Sequence, residues 1–197
     1  MKKINNFIYK IFPIFLVLFS IEVKGQIIGL GNQDSKVTVK VFSSLTCPAC
    51  ANFHSKIFYK LKQEYIDKGL VRFEHHPFPL DLAALNAEII LRCSIDNNES
   101  FKLLGKIYEN QRNWAVGSDI IKVNESIKKI TAELNYDNKK IDTCLNNEEI
   151  QDQILSLRIE AQKKYKIEAT PTIFINEKKY SGKPDYKEFK RELEKKL

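Results

Sequence analysis

Two cysteines separated by two residues are the feature of this 197-residue chain best suited to chemistry, in the motif Cys47-Pro48-Ala49-Cys50. The motif comes shortly after residues 37–42 (VTVKVF), whose β-branched alternation predicts a strand. Pro48 suits the first turn of a helix, where unpaired backbone N–H groups carry partial positive charge. A thiolate of Cys47 at that position would be stabilised, which lowers the pKa of the thiol.

The spacing gives the two cysteines different roles. Cys47 and Cys50 are three positions apart, so on one helical turn we expect their sulfur atoms to lie within disulfide reach, with Cys47 at the exposed end and Cys50 facing inward. This asymmetry suits thiol–disulfide exchange, in which one thiolate attacks a substrate and the second thiol resolves the mixed disulfide. We therefore predict a redox-active Cys47–Cys50 pair.

The same spacing of cysteines also provides half of a zinc site. The candidate further ligands are His54, His75 and His76. Adjacent residues on a strand point to opposite faces, so His75 and His76 should not bind one ion together, and the chain has no second pair of this kind. We expect no metal and no organic cofactor. We expect His54 to pack in the interior, and His75 and His76 to lie at the surface.

Hydrophobic spacing predicts the elements that position the dithiol. Apolar side chains recur every four residues after the motif, as on the buried side of a helix: Phe53, Ile57, Leu61 and Tyr65. Gly69 suits the C-terminal cap of that helix, and residues 70–75 predict a second strand. Strand, helix and strand therefore follow one another, as in a βαβ unit.

The predicted secondary structure changes twice in the rest of the chain. The middle predicts helices only, at residues 81–95, 99–113, 118–134, 137–146 and 148–165. The end predicts a strand at 172–176, a short partner at 179–181 and a final helix at 185–196. We therefore predict an α/β fold in which residues 26–80 and 148–197 form one domain and residues 81–147 form a helical insert.

A second marker lies directly before the predicted strand 172–176, in the run Ala169-Thr170-Pro171-Thr172. Proline at this place is tolerated mainly at a strand's entry or on an edge. In a redox fold, a cis proline here would set a bare backbone edge beside the dithiol, and an extended substrate could pair with that edge. Thr170 and Pro171 are therefore candidate substrate-binding residues.

Residues 37–54 (VTVKVFSSLTCPACANFH) and 169–176 (ATPTIFIN) resemble the DsbA-like thiol:disulfide oxidoreductases of the thioredoxin superfamily. The resemblance implies a thioredoxin fold with a helical insert, dithiol chemistry at Cys47 and Cys50, and a cis Thr170–Pro171 bond. It also implies a periplasmic setting and reoxidation by a membrane quinone-linked, DsbB-like partner.

We expect residues 1–25 to be a signal peptide. Lys2, Lys3 and Lys10 form a positive start before an apolar run of 11 residues, 11–21, which is shorter than the roughly 20 residues that span a bilayer. Gly25 supplies a small residue at the cleavage site. An uncleaved N-terminal anchor is the alternative.

The net charge of +7 does not indicate a nucleic-acid partner. Only 5 of the 32 basic residues are arginine, and the lysines are scattered along the chain, whereas nucleic-acid sites favour arginine and clustered basic faces.

Cys93 and Cys144 are the remaining cysteines, and both lie in the predicted insert. In an oxidising compartment we favour a structural disulfide between them, which would contribute about 2–4 kcal/mol. Two buried free thiols are the alternative.

The sequence thus favours an exported enzyme that introduces or exchanges disulfides in unfolded or reduced exported proteins. A disulfide isomerase or reductase is an alternative, although we find no dimerisation module and expect a monomer. A noncatalytic peptide-binding module with a structural or zinc-bound Cys-x-x-Cys motif is the alternative from another class.

Ala49 generates the first testable prediction, because many DsbA-like proteins have histidine at this position of the motif. A cationic neighbour stabilises the Cys47 thiolate and hence the reduced form. The variant Ala49→His should therefore have a higher reduction potential than the natural protein, measured by equilibration with glutathione. An unchanged or lower potential would contradict this reasoning.

Overall fold

A computed structural model describes residues 26–93 and 96–197. The predicted signal peptide, residues 1–25, lies outside the described residues. Among the described residues, no helix combines the length and the apolar character needed to cross a membrane.

The described strands form one mixed sheet in the order β1-β3-β2-β4-β5. Their bounds are β1 Ile28–Leu30, β2 Val37–Ser43, β3 Val71–Pro77, β4 Thr172–Ile175 and β5 Lys178–Lys179. β2 and β3 are parallel, whereas the other three pairings are antiparallel. β2 is the middle strand, and the dithiol motif follows its C-terminal end.

One long helix, α1, connects β2 to β3 in four consecutive segments: Pro48–Phe53, His54–Phe58, Tyr59–Leu61 and Lys62–Ile66. The second and fourth segments have the wider hydrogen bonding of a π-helix, while the junctions keep right-handed helical angles. The predicted apolar stripe is confirmed, because all four of its side chains are buried. Gly69, with φ of +70°, ends the helix as predicted.

The middle of the chain is helical, as predicted, and no strand occurs in its described residues. The helices are α2 Leu82–Leu91, α3 Asn97–Glu109, α4 Gln111–Trp114, α5 Ile120–Ala132, α6 Asn138–Leu145 and α7 Glu148–Tyr165. Acidic or amide side chains cap five of them by accepting backbone N–H bonds: Asp81, Asp96, Asp119, Asp137 and Asn147. The predicted helix 99–113 is two helices, because the chain breaks at Asn110.

Helices cover both faces of the sheet. α1, α3 and the last helix, α8 (Tyr186–Glu194), pack on one side in the main hydrophobic core. On the other side, Phe42 and Phe174 pack with Ala161 of α7. The start of α1, which carries the dithiol, is therefore fixed between the sheet and the insert.

The strands differ from the prediction in two places. β1 was not predicted, because three residues that include a glycine give too short a pattern, and its strand conformation depends on pairing with β3. The partner of β4 lies at Lys178–Lys179 rather than at 179–181. The domain limits at residues 80 and 148 remain a prediction. The helix at the second limit, α7, packs against both α2 of the insert and β3 of the sheet.

Cys93 and Cys144 are joined by a disulfide in the structure, with their Cα atoms 6.1 Å apart. Cys93 follows α2 and is buried, while Cys144 lies in the last turn of α6. The bond links these two helices across 51 residues of sequence.

Candidate active site

The dithiol lies where α1 begins. Cys47 has extended backbone angles and is the residue before the first helical turn, which Pro48 opens. Its carbonyl accepts hydrogen bonds from the backbone N–H groups of Cys50 (3.1 Å) and Ala51 (3.2 Å). Both cysteines are free thiols, and Cys47 is partly exposed whereas Cys50 is buried. The structure therefore shows the asymmetry that the spacing predicts.

Local hydrogen bonds lower the pKa of Cys47 to about 5. The largest contribution is the hydrogen bond from the Cys50 thiol, which outweighs the opposing effect of partial burial. The Thr170 side chain and the backbone N–H groups of Cys50 and Ala49 add smaller contributions. The N–H groups of the helix start therefore act in the predicted direction, and the neighbouring Cys50 thiol, which the sequence analysis did not consider as a donor, contributes more.

Burial raises the pKa of Cys50 well above that of an ordinary thiol, and the adjacent Cys47 raises it further. Near neutral pH, Cys50 is therefore protonated and Cys47 is a thiolate. A nucleophile at the surface is thus paired with a protonated thiol behind it.

The loop before β4 completes the surface around Cys47. The Thr170–Pro171 peptide bond is cis, as the resemblance implies. The Sγ of Cys47 lies 3.4 Å from the carbonyl oxygen of Thr170. The Thr170 hydroxyl is buried beside the two sulfur atoms and makes no other hydrogen bond. The structure thus brings the four predicted site residues together, although Cys47 and Thr170 are 123 positions apart in sequence.

Polar side chains hold the loop between β2 and the dithiol, and sequence reasoning did not identify them. Gln111 of α4 donates to the carbonyls of Leu45 (2.7 Å) and Cys47 (3.0 Å). Thr46 donates to the carboxylate of Asp81 at 2.7 Å. Both supports come from the insert, so no local pattern around the motif indicates them.

The three histidines occupy different places. His54 packs in the interior as predicted, stacked on Phe58 with 4.4 Å between ring centroids, and its burial lowers its pKa to about 3. The surface expectation is wrong for His75, which is buried and lies 2.7 Å from Glu88. His76 is also largely covered, with a side chain only 12% exposed.

Within residues 26–93 and 96–197, no three side chains of the metal-ligating types are placed to share an ion. Two of the histidines named as candidate zinc ligands, His54 and His75, line a small cavity together with Cys50.

The sheet order, with the dithiol at the start of the helix that follows the middle strand, defines a thioredoxin fold. A family model described as Thioredoxin matches residues 22–195. The chain therefore belongs to the thioredoxin family and, by the relatives below, to its DsbA-like members. The predicted fold class, an α/β thioredoxin fold with a helical insert, is confirmed.

Two curated relatives have names from disulfide chemistry. A putative protein-disulfide oxidoreductase of Rickettsia bellii is 32% identical over 162 residues, which are 82% of this chain and 61% of the relative. Disulfide bond formation protein D of Bacillus subtilis is 32% identical over 185 residues, covering 89% of this chain and 78% of that protein. The chain thus spans less than two thirds of the rickettsial relative.

Solved structures show the same architecture. The crystal structure of Wolbachia pipientis alpha-DsbA1 is 26% identical, with a TM-score of 0.81 and coverage of 87% of this chain and 90% of that chain. The structure of oxidised BdbD from Bacillus subtilis is 25% identical, with a TM-score of 0.72 and coverage of 88% and 95%.

The site generates a prediction about the Cys47 thiolate. In Cys50→Ala, loss of the strongest hydrogen-bond donor should raise the pKa of Cys47 from about 5 towards its ordinary value of 9.0. Thr170→Val removes a weaker donor and should raise the pKa by less. The measurement is the pH dependence of the rate at which iodoacetamide alkylates Cys47. An unchanged midpoint in Cys50→Ala would show that the helix terminus is the main cause.

Proposed function

We propose that the protein is an exported thiol:disulfide oxidoreductase that introduces or exchanges disulfide bonds in other exported proteins. The observation that carries this proposal is the pairing of a partly exposed, low-pKa Cys47 with a buried, high-pKa Cys50. A site with one ionised sulfur at the surface and one protonated sulfur behind it is suited to exchange. The names of the relatives support the same chemistry.

In the oxidising direction, a client thiolate attacks the Sγ of Cys47 in the oxidised protein. A bond forms between the client sulfur and Cys47, the Cys47–Cys50 bond breaks, and its electron pair leaves on Cys50. A second client thiolate then attacks the client sulfur of the mixed disulfide. The client leaves with a new disulfide, and the protein is left reduced at both cysteines.

The loop at Thr170 and Pro171 would position the client. Its backbone lies beside Cys47, with the Thr170 carbonyl 3.4 Å from the sulfur. An extended client segment that pairs with this backbone brings its own sulfur against Cys47, and backbone pairing tolerates many client sequences.

The turnover requires a reoxidant. A membrane quinone-linked, DsbB-like protein fits, since it would remove two electrons from the reduced dithiol and restore the Cys47–Cys50 disulfide. Unfolded or reduced exported proteins are the clients, and the protein acts as a monomer. The setting is the periplasm, with residues 1–25 as the export signal and the Cys93–Cys144 bond as a structural disulfide.

The alternatives differ in their predicted products. An isomerase or reductase uses the same dithiol, but it acts from the reduced form. A noncatalytic peptide-binding module would hold extended peptides without forming any covalent bond to them.

Trapping of clients tests this proposal. In Cys50→Ser the Cys47 thiolate can still attack a client disulfide, which forms a mixed disulfide and releases the client's other sulfur as a thiolate. No Cys50 thiol is present to displace the client, so we expect Cys50→Ser to accumulate disulfide-linked clients in cells. Nonreducing gels and mass spectrometry would detect them. The matched control is Cys47→Ser, which keeps the fold but should trap none.

Refolding of reduced ribonuclease by the purified, oxidised protein separates the alternatives. An oxidase forms disulfides stoichiometrically without added oxidant, whereas a reductase or isomerase requires reduced protein and a scrambled substrate. If Cys50→Ser traps no client and the oxidised protein forms no disulfides, the binding module is favoured instead.

A further inference from the structure

A series of buried polar side chains, each in hydrogen-bond contact with the next, begins near Cys50 and ends in the insert. Ser43 Oγ, at the end of β2, lies 3.2 Å from Nδ1 of His75 on β3. The other ring nitrogen of His75, Nε2, lies 2.7 Å from Oε1 of Glu88 on α2. The second oxygen of Glu88 accepts from Arg92 at 2.6 Å. Ser43, His75 and Glu88 are each no more than 2% exposed.

Charge fixes the direction of the hydrogen bond between His75 and Glu88. Burial acts to raise the pKa of Glu88, but the charges and hydrogen bonds of His75 and Arg92 outweigh it and lower the pKa below its ordinary value. An ionised carboxylate only accepts, so Nε2 of His75 carries hydrogen and donates to Glu88. Nδ1 of His75 accepts from the Ser43 hydroxyl when the ring is neutral and donates to the Ser43 oxygen when the ring is an imidazolium, so this contact can carry a proton in either direction. The oxygen of Ser43 keeps lone pairs for another donor.

A small cavity joins this chain to the dithiol. It is lined by Ser43, His75 and Cys50, and its volume is about 10 Å³. His54 and Tyr108 complete the polar part of its wall; Nε2 of His54 is buried without a partner. The volume is at the lower limit for one water molecule, and such a water needs polar neighbours of this kind.

Exchange chemistry needs a proton at this place. When the Cys47–Cys50 bond opens, Cys50 receives an electron pair inside the protein. Burial raises the pKa of Cys50, so a thiolate there is costly and must be protonated as it forms. When the bond closes again, Cys50 must lose the same proton.

We propose that His75, held by the Glu88 carboxylate, supplies and removes the proton of Cys50 through the Ser43 hydroxyl and the cavity between them. The inference rests on the proposed exchange function and adds positioning residues to it. His75 and Glu88 act through Ser43, while Cys47 and Cys50 remain the reacting groups.

The step balances for atoms and electrons. A client thiolate bonds to Sγ of Cys47, the Cys47–Cys50 bond breaks, and the electron pair goes to Cys50, so that the client sulfur is oxidised and Cys50 is reduced. The His75 imidazolium gives its Nδ1 proton to the Ser43 oxygen as the Ser43 hydroxyl proton passes to Cys50, directly or through one water. His75 becomes neutral. In the reverse step, Cys50 returns the proton along the same path and its sulfur attacks Cys47. The Cys47–Cys50 bond forms, the bond between Cys47 and the client or glutathione sulfur breaks, and that sulfur leaves with the electron pair.

The charged and titratable groups around His75 come from several elements. Glu88 and Arg92 face it from α2, His54 from α1 and Tyr108 from α3, while His76 adjoins it on β3. A purely structural pairing of Glu88 with His75 would fasten α2 to the sheet without moving a proton, and buried ion pairs are weak evidence for stability. The test must therefore separate proton transfer from stability.

Reaction of the reduced protein with oxidised glutathione separates the two steps of exchange. The phase whose rate depends on glutathione concentration reports attack by Cys47. The concentration-independent phase reports closure by Cys50, which requires loss of its proton. Both phases can be followed by acid quenching and mass spectrometry, in ordinary and in deuterated water.

In Ser43→Ala we expect an unchanged first phase and a second phase slowed about 100-fold, with loss of its solvent isotope effect. Ser43→Thr, which keeps the hydroxyl, should restore the second phase. His75→Gln, which can still donate to Glu88 but cannot take up a proton, should also be slow. The matched control is Thr131→Val, which removes a buried hydroxyl bonded within α5, to the Lys128 carbonyl at 2.9 Å, and should change neither phase.

The proposal is overturned if Ser43→Ala closes as fast as the natural protein, if Ser43→Thr fails to restore closure, or if Thr131→Val is slowed equally. If the natural protein shows no first phase at all, the exchange function itself fails. A normal first phase with an unaffected second phase in Ser43→Ala would leave the exchange function intact and remove only the relay.

Discussion

The hydrogen bond between the thiol of Cys50 and the sulfur of Cys47 is the interaction on which the site depends. It is the largest influence that lowers the pKa of Cys47 to about 5, and the same contact raises the pKa of Cys50. Two chemically identical side chains therefore hold different protonation states. The sulfur of Cys47 at the surface can exchange disulfide partners, while the buried sulfur of Cys50 stays protonated.

The fold maintains this contact from three directions. The start of α1 fixes the spacing of the two sulfurs, the sheet brings the Thr170–Pro171 loop against Cys47, and Gln111 of the insert ties the carbonyls of the preceding loop. Burial of Cys50 under the insert is as necessary as exposure of Cys47, because burial keeps the second thiol protonated. The insert thus contributes to the chemistry as well as covering the core.

Sequence patterns predicted the parts of the fold that depend on residues close together in the chain. The strand before the motif, the stripe of α1, the cap at Gly69 and the loop at Thr170 each follow from neighbouring residues. Gln111 could not be predicted, because it reaches Cys47 across 64 positions and only the packing of the insert brings it there. The position of His75 did have a signal, since it shares the buried alternation of Val71 and Phe73 on β3. The contact between His75 and Glu88 depends on how α2 packs against the sheet.

Titration of the reduced natural protein tests the central claim most directly. The ultraviolet absorbance of the thiolate, taken as the difference between reduced and oxidised protein, reports ionisation of the dithiol. The account predicts a single transition with a midpoint near pH 5, and no second thiol ionising near neutral pH. A midpoint close to the ordinary value of 9.0 would show that Cys47 is not held as a thiolate, and would contradict the account.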